Sequence, residues 1–219
     1  MTDSSRPQLT IDVVSDVVCP WCYVGKKRLE DALAQFNDAD VQVNWRPFQL
    51  DPTIPQGGID RREYLEKKFG KDRVSTIHER IESLGREAGI PFAFDRIEKS
   101  PNTLDAHRLI RWAFDSGAQQ AIVDRLFRAY FVEGKDISDR DFLADVAAEC
   151  GLDREAVRLR LDTDLEASDV QSEIASAVRM GVNGVPFFII DGKFGLSGAQ
   201  PSEVIVDAMR QALAKNREA

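Results

Sequence analysis

Sheet-type alternation marks both ends of this 219-residue chain, and helical periodicity runs for more than a hundred residues between them. Near the start, Leu9, Ile11 and Val13 alternate with Thr10 and Asp12, the two-residue period of a strand. From Pro20 to Phe36 the period lengthens, and Leu29, Ala32, Leu33 and Phe36 fall on one helical face. Val41, Val43 and Trp45 then alternate again. Strand, helix and strand in that order form the crossover unit of a parallel sheet. At the far end, Pro186 to Ile190 is rich in aromatic and β-branched residues. Asp191-Gly192 predicts a two-residue hairpin turn there, and Lys193 to Leu196 the returning strand. Pro201 and Ser202 open a last helix with Ile205, Ala208, Met209, Ala212 and Leu213 on its inner face. If the two ends join in one sheet, everything between them is an insertion.

The middle of the chain is punctuated by helix signals. Pro47, Pro52 and Pro55 with Gly57 and Gly58 predict a loop. Helical faces follow at Val74, Ile77, Ile81, Leu84 and Ala88, from Thr103 to Phe114, and at Ile122, Leu126, Tyr130 and Phe131. Ser138 with Asp141 resembles a capping box, Asp153 predicts another cap, and Val170, Ile174, Ala177 and Val178 give one more face. The expected organisation is an α/β sheet domain in two parts, residues 1–55 and 181–219, with an all-helical insertion over 56–180.

Composition narrows the function. The net charge of -8, from 29 basic and 37 acidic residues, argues against a phosphate-backbone binder, which needs a basic surface. The charged run Arg61, Arg62, Glu63, Glu66, Lys67 and Lys68 reads as a solvated helix face. No apolar run is long enough to span a bilayer, and Met1 to Gln8 carries no targeting pattern, so the expected compartment is the cytoplasm. Structural disulfides are rare there, and two of only three cysteines lie three positions apart.

Cys19 and Cys22 of Cys-Pro-Trp-Cys sit where the first strand gives way to the first helix. A helix start presents unpaired N–H groups and a positive dipole end, both of which favour a thiolate at Cys19. Pro20 suits the first helical position, having no N–H to leave unpaired. Cys22, one turn on, is placed to resolve a mixed disulfide formed at Cys19. The competing zinc reading needs two more ligands, and Cys150, His78 and His107 are not arranged at a ligand spacing. A reading of both cysteines as core residues is opposed by the polar neighbours Asp16 and Lys26. The second element is Val185-Pro186, a proline heading the late strand after the Asn183-Gly184 turn and a candidate cis peptide.

The stretch Ser15-Asp16-Val17-Val18-Cys19-Pro20-Trp21-Cys22-Tyr23-Val24-Gly25-Lys26 closely resembles the FrnE-like branch of the DsbA family. Gly184-Val185-Pro186-Phe187-Phe188 and Gly195-Leu196-Ser197-Gly198-Ala199-Gln200 are similar to that family too. The resemblance implies a DsbA-like thioredoxin fold and thiol–disulfide oxidoreductase activity. Cys19 would be the nucleophile, Cys22 the resolving thiol, and Pro186 a cis residue packed against them. Pro20 and Trp21 would tune the reduction potential, and the Val185 backbone would pair with an extended substrate. No separate cofactor is implied, because the dithiol itself carries the electrons; glutathione is the candidate co-substrate. Expected partners are a disulfide-containing protein or a small thiol, with no nucleic acid, membrane or metal.

Kappa-class glutathione transferases and 2-hydroxychromene-2-carboxylate isomerases share the superfamily, and Asn102-Thr103 and Arg108 resemble their ligand-binding stretch. Those relatives carry serine where this chain has Cys19, so a glutathione-dependent transferase or isomerase is the second reading. A non-enzymatic chaperone or partner-binding module, with Trp21 exposed, is the third. Asn102 reads first as an N-cap and second as a ligand contact. His107 reads as a buried, hydrogen-bonded residue with a secondary reading in the substrate pocket, and His78 as a partly solvated one. Cys150 shares a helical face with Leu143, Val146 and Ala147 and reads as core.

Overall fold

A computed structural model describes residues 6–218, so most of the Met1 to Gln8 stretch read for a targeting pattern lies outside the described residues. Strand β1 (Gln8–Ser15), helix α1 (Pro20–Gln35) and strand β2 (Asp40–Pro47) form the opening crossover. After a loop come β3 (Ile59–Asp60), α2 (Arg61–Phe69), α3 (Lys71–Glu87) and β4 (Lys99–Ser100). Helices α4 (Leu104–Trp112), α5 (Gln119–Phe131), α6 (Arg140–Glu149), α7 (Arg154–Leu161) and α8 (Ala167–Arg179) complete the middle. The chain closes with β5 (Phe187–Ile190), β6 (Phe194–Ser197) and α9 (Ser202–Glu218).

The two ends do join. The sheet order is β2-β1-β5-β6, with β1 parallel to β2 and antiparallel to β5. Register explains why. Ile11 sits between Val43 and Ile190, and Val13 between Trp45 and Phe188. One face of β1 therefore presents Leu9, Ile11 and Val13, all at most 1% exposed, to a core shared with Leu29 and Ala32 of α1 and Ile205, Met209 and Ala212 of α9. On the opposite face Val14 packs in a smaller cluster with Phe48, Ala177 and Val182. The fold is thus the thioredoxin-like α/β arrangement with its insertion between β2 and β5.

The insertion is anchored where α5 meets the first crossover. Tyr23 of α1 stacks on Phe127 of α5 with ring centroids 5.0 Å apart, and Phe92, Phe94 and Phe131 extend the aromatic cluster. Such pairs add about 0.5–1.5 kcal/mol each beyond the area they bury. Gln119 also covers the open edge of the sheet: its Oε1 accepts from the Trp45 N–H at 2.8 Å, and its Nε2 donates to the Trp45 carbonyl at 3.3 Å. An edge strand's unpaired backbone groups are thereby satisfied.

Several local expectations change. The insertion is not purely helical, because β3 and β4 pair antiparallel, Ile59 opposite Ser100. Two-residue strands are too short to show alternation. The hairpin turn has three residues, 191–193, since Ile190 faces Phe194, and Asp191 and Gly192 both take left-handed backbone (φ 50 and 65). Helix α6 is capped by Asp139, whose carboxylate accepts from Asp141 N–H at 2.8 Å, while Ser138 turns back to Asp136 at 2.6 Å. Asp153 does cap α7, accepting from Ala156 N–H at 2.8 Å. In α8, Val170 and Ala177 face inward but Val178 is 49% exposed. Lys26 is buried and pairs with Glu30 and Asp124, so it braces α1 against α5 and does not make the dithiol polar. Arg61 departs from the solvated face expected for its run and is buried, whereas Arg62, Glu63, Lys67 and Lys68 are exposed.

Candidate active site

Cys19 is the N-cap of α1, with extended backbone (φ -90, ψ 113) and Pro20 at the first helical position. Its N–H donates to the Asp16 carbonyl at 2.9 Å, and its own carbonyl accepts from Cys22 N–H at 3.0 Å. The turn is therefore closed on both sides of the cysteine, and Cys19 is fixed at the positive end of a sixteen-residue helix. Both thiols are free and buried, Cys19 at 3% and Cys22 at 1% exposure.

The two sulfurs have different surroundings. Cys19 Sγ donates to the Val185 carbonyl at 3.6 Å and borders an open cavity. Cys22 lies behind it. Burial pushes the Cys22 thiol well above its ordinary value, and the hydrogen bond and charge of neighbouring Cys19 push it further; the Ser15 hydroxyl and the Asp16 backbone oppose them. Cys22 is held as a neutral thiol, while Cys19 caps the helix start and borders the cavity.

The Val185-Pro186 peptide is cis, and Pro186 lies over the first turns of α1. Gly25 makes that approach feasible, since a Cβ there would sit 2.7 Å from Pro186 Cγ. The signal in the sequence was a glycine inside a helical pattern, which marks a close approach more often than a flexible point.

Beside Cys19 opens a cavity of about 310 Å³ between the sheet domain and the insertion. Cys19, Pro20, Trp21 and Val185 line one side, and Ile54, Arg61, Leu65, Ile81, Phe94 and Tyr130 the other. Trp21 is half-buried, with the Arg80 guanidinium 5.7 Å from its ring centre. Asp16 also reaches the cavity; its Oδ2 accepts from Leu50 N–H at 2.8 Å, and its Oδ1 lies 3.5 Å from His107 Nε2.

The structure separates the remaining expected site residues from this cavity. His107 is buried at the far side of Asp16 and lines a different cavity of about 260 Å³ with Trp45 and Arg111; its Nε2 has no hydrogen-bond partner among the described residues. It is near the dithiol only through Asp16. Thr103, not Asn102, is the N-cap of α4; Asn102 lies one residue before it, its Oδ1 accepting from Leu104 N–H at 2.9 Å and its Nδ2 donating to the Ile54 carbonyl at 2.6 Å. Its chain neighbours Pro101 and Thr103 line the Cys19 cavity, but Asn102 itself does not. Arg108 is spent on structure, bonding Asp105 at 2.6 Å and the Leu165 and Thr163 carbonyls at 2.9 and 2.7 Å. His78, by contrast, lines the Cys19 cavity, half-buried and stacked on Phe94 at 4.4 Å, its pKa lowered by burial and by Arg61. Cys150 ends α6 away from the cavity, its thiol raised mainly by burial. Among the described residues no group of three His, Cys, Asp or Glu side chains is placed to hold a metal. No described helix is long and apolar enough to cross a membrane.

Comparison with known proteins agrees with this geometry. A family model described as a DSBA-like thioredoxin domain matches residues 10–210. The chain is 30% identical over 201 residues to the uncharacterized protein YwbO of Bacillus subtilis (strain 168), covering 91% of this chain and 94% of that one. It is similar to the crystal structure of a probable DsbA oxidoreductase, SCO1869 from Streptomyces coelicolor, with 33% identity, a TM-score of 0.87, and 94% and 90% of the two chains covered. A 2-hydroxychromene-2-carboxylate isomerase structure shares the fold at 17% identity and a TM-score of 0.72, over 95% of this chain and 98% of that one.

Proposed function

Because the chain belongs to the DsbA-like thioredoxin domain family, we propose that it is a thiol–disulfide oxidoreductase working through Cys19 and Cys22. The observation that carries this reading is the contrast between the sulfurs. Cys19 caps α1 and borders the cavity, while Cys22 is buried behind it and kept protonated.

The reaction follows from that contrast. The Cys19 thiolate attacks one sulfur of a substrate disulfide RS–SR′, the S–S bond breaks, and R′S⁻ leaves to take a proton. Cys22, losing its proton to solvent or a nearby acceptor, then attacks Cys19 Sγ and expels RS⁻. The substrate gains two electrons and becomes two thiols, and Cys19–Cys22 becomes a disulfide. Two molecules of a small thiol such as glutathione restore the dithiol and leave as their own disulfide. Run in reverse, the same steps oxidise a dithiol substrate, and the potential relative to the compartment sets the direction. A reducing cytoplasm would draw the reaction toward disulfide reduction or isomerisation. The Val185 backbone faces Cys19 and offers an extended substrate its pairing groups.

Turnover of insulin disulfides by the wild-type protein in glutathione, lost in Cys19→Ser, is the expected result. Undiminished turnover in that variant would remove the proposal. The mainly apolar cavity beside Cys19 gives one observation in favour of a second reading, a glutathione-dependent transferase or isomerase. It is distinguished by glutathione conjugation that survives Cys22→Ser while wild type shows no disulfide turnover.

A further inference from the structure

Arg61 is 9% exposed, yet among the described residues no carboxylate lies within 4.0 Å of its guanidinium. A buried cation without a partner is costly, and chains retain one where something else supplies the charge. What holds Arg61 is neutral: Nη1 donates to the Tyr130 hydroxyl at 2.9 Å, and the guanidinium stands 5.8 and 5.7 Å from the ring centres of Phe94 and Tyr130. The Tyr130 hydroxyl is fixed in turn by donating to the Lys99 carbonyl at 3.2 Å. The remaining guanidinium donors make no other hydrogen bond to a described residue and are not sealed in protein, and Arg61 lines the cavity beside Cys19.

Other charges around the cavity do not answer it. Asp51 is engaged by Thr53, whose N–H and hydroxyl donate to its Oδ1 at 3.0 and 2.5 Å. Asp16 accepts from Leu50 through Oδ2; its Oδ1 makes no hydrogen bond to a described residue and is not within 4.0 Å of the Arg61 guanidinium. Lys68 is at the exposed rim, and burial beside Arg61 lowers the pKa of His78. Between Arg61 and Cys19 the walls are mainly Ile54, Leu65, Ile81 and Phe94. A volume of about 310 Å³ holds roughly ten waters' worth of matter, room for a small apolar acid.

We infer that this cavity binds a small molecule with an apolar, ring-sized body and a carboxylate that pairs with Arg61, so presenting its sulfur to Cys19. The inference deepens the oxidoreductase reading and rests on it for the reacting group. Recognition, however, needs no reaction. Arg61 acts as a binding residue: it meets the substrate's carboxylate and takes no part in the exchange.

The test uses unreactive probes, naphthoate and its neutral isostere naphthamide, titrated calorimetrically into the reduced wild-type protein. Naphthoate should bind about tenfold or more tightly than the amide, the worth of one charge-assisted hydrogen bond. It should also slow alkylation of Cys19 by N-ethylmaleimide, because probe and thiol share the cavity. In Arg61→Gln the carboxylate preference should vanish, and Arg61→Lys should restore part of it. Equal affinity for the two probes in wild type, or no protection of Cys19, would overturn the inference even if the variants fail to fold. Insulin-disulfide turnover, measured separately, reports on the oxidoreductase reading, so failure of either leaves the other readable.

Discussion

The two walls of the Cys19 cavity are built on different principles. The sheet-domain wall is made of backbone: a helix start that fixes Cys19, a carbonyl from Val185 against its sulfur, and Pro186 lowered onto Gly25. The insertion wall is made of side chains, with aliphatic and aromatic groups around one unpaired guanidinium. Backbone positions are hard to vary without breaking the fold, whereas side chains on a helical layer can be exchanged singly. On the proposed function, the reaction belongs to the first wall and the choice of substrate to the second. Changes to the first should then affect every disulfide alike, and changes to the second should sort substrates.

The largest expected effect tests the first half of that statement. Gly25→Val places a Cβ within 2.7 Å of Pro186, an overpacking that should cost about 1–3 kcal/mol. Urea unfolding should show the loss, and turnover of insulin and of small disulfides should fall by the same factor. A fall confined to one substrate would mean the sheet wall also selects. Arg61→Gln supplies the opposite pattern, weakening carboxylate probes by a larger factor than it lowers insulin turnover.

A smaller effect concerns the thiol behind that wall. Cys22 binds its proton more tightly in the folded, reduced protein than in the unfolded chain, whose thiol titrates near its ordinary value of 9.0. The folded state then holds more protons above that pH, so stability falls as pH rises. The contribution is fully present below pH 9 and is lost as pH climbs toward the folded value. Denaturation of the reduced protein between pH 8 and 10.5, about the span of ordinary thiol ionisation, should show a downward slope that Cys22→Ala flattens. An unchanged slope in that variant would place the effect on other groups.

How much of this was legible in the sequence depended on whether a residue's role is local. The strand β1 and its inward face followed from simple alternation of Leu9, Ile11 and Val13, and the dithiol's place at a helix start followed from Pro20 and the change of period. The β3–β4 pair was not legible, because two-residue strands carry no period. The three-residue turn was hidden because Asp191-Gly192 alone fits a shorter loop, while Lys193 completes the actual one. Arg61 was misread for a different reason. It sits among charged residues that do face solvent, and only the packing of α2 against Phe94 and Tyr130 turns that one position inward. His107 lies on α4 and Asn102 just before it, and their orientation, which no spacing encodes, directs them to Asp16 and to backbone.

The division between a reacting wall and a selecting wall stands on Cys19 being the sulfur that meets substrate. Cys22→Ser incubated with glutathione disulfide and mapped by peptide mass spectrometry examines this directly, since without a resolving thiol the mixed disulfide should persist. One glutathionyl group per chain on the peptide carrying Cys19 is the expected result, with Cys150 unmodified. Modification at Cys150 alone, or no stable adduct in a folded protein, would contradict it.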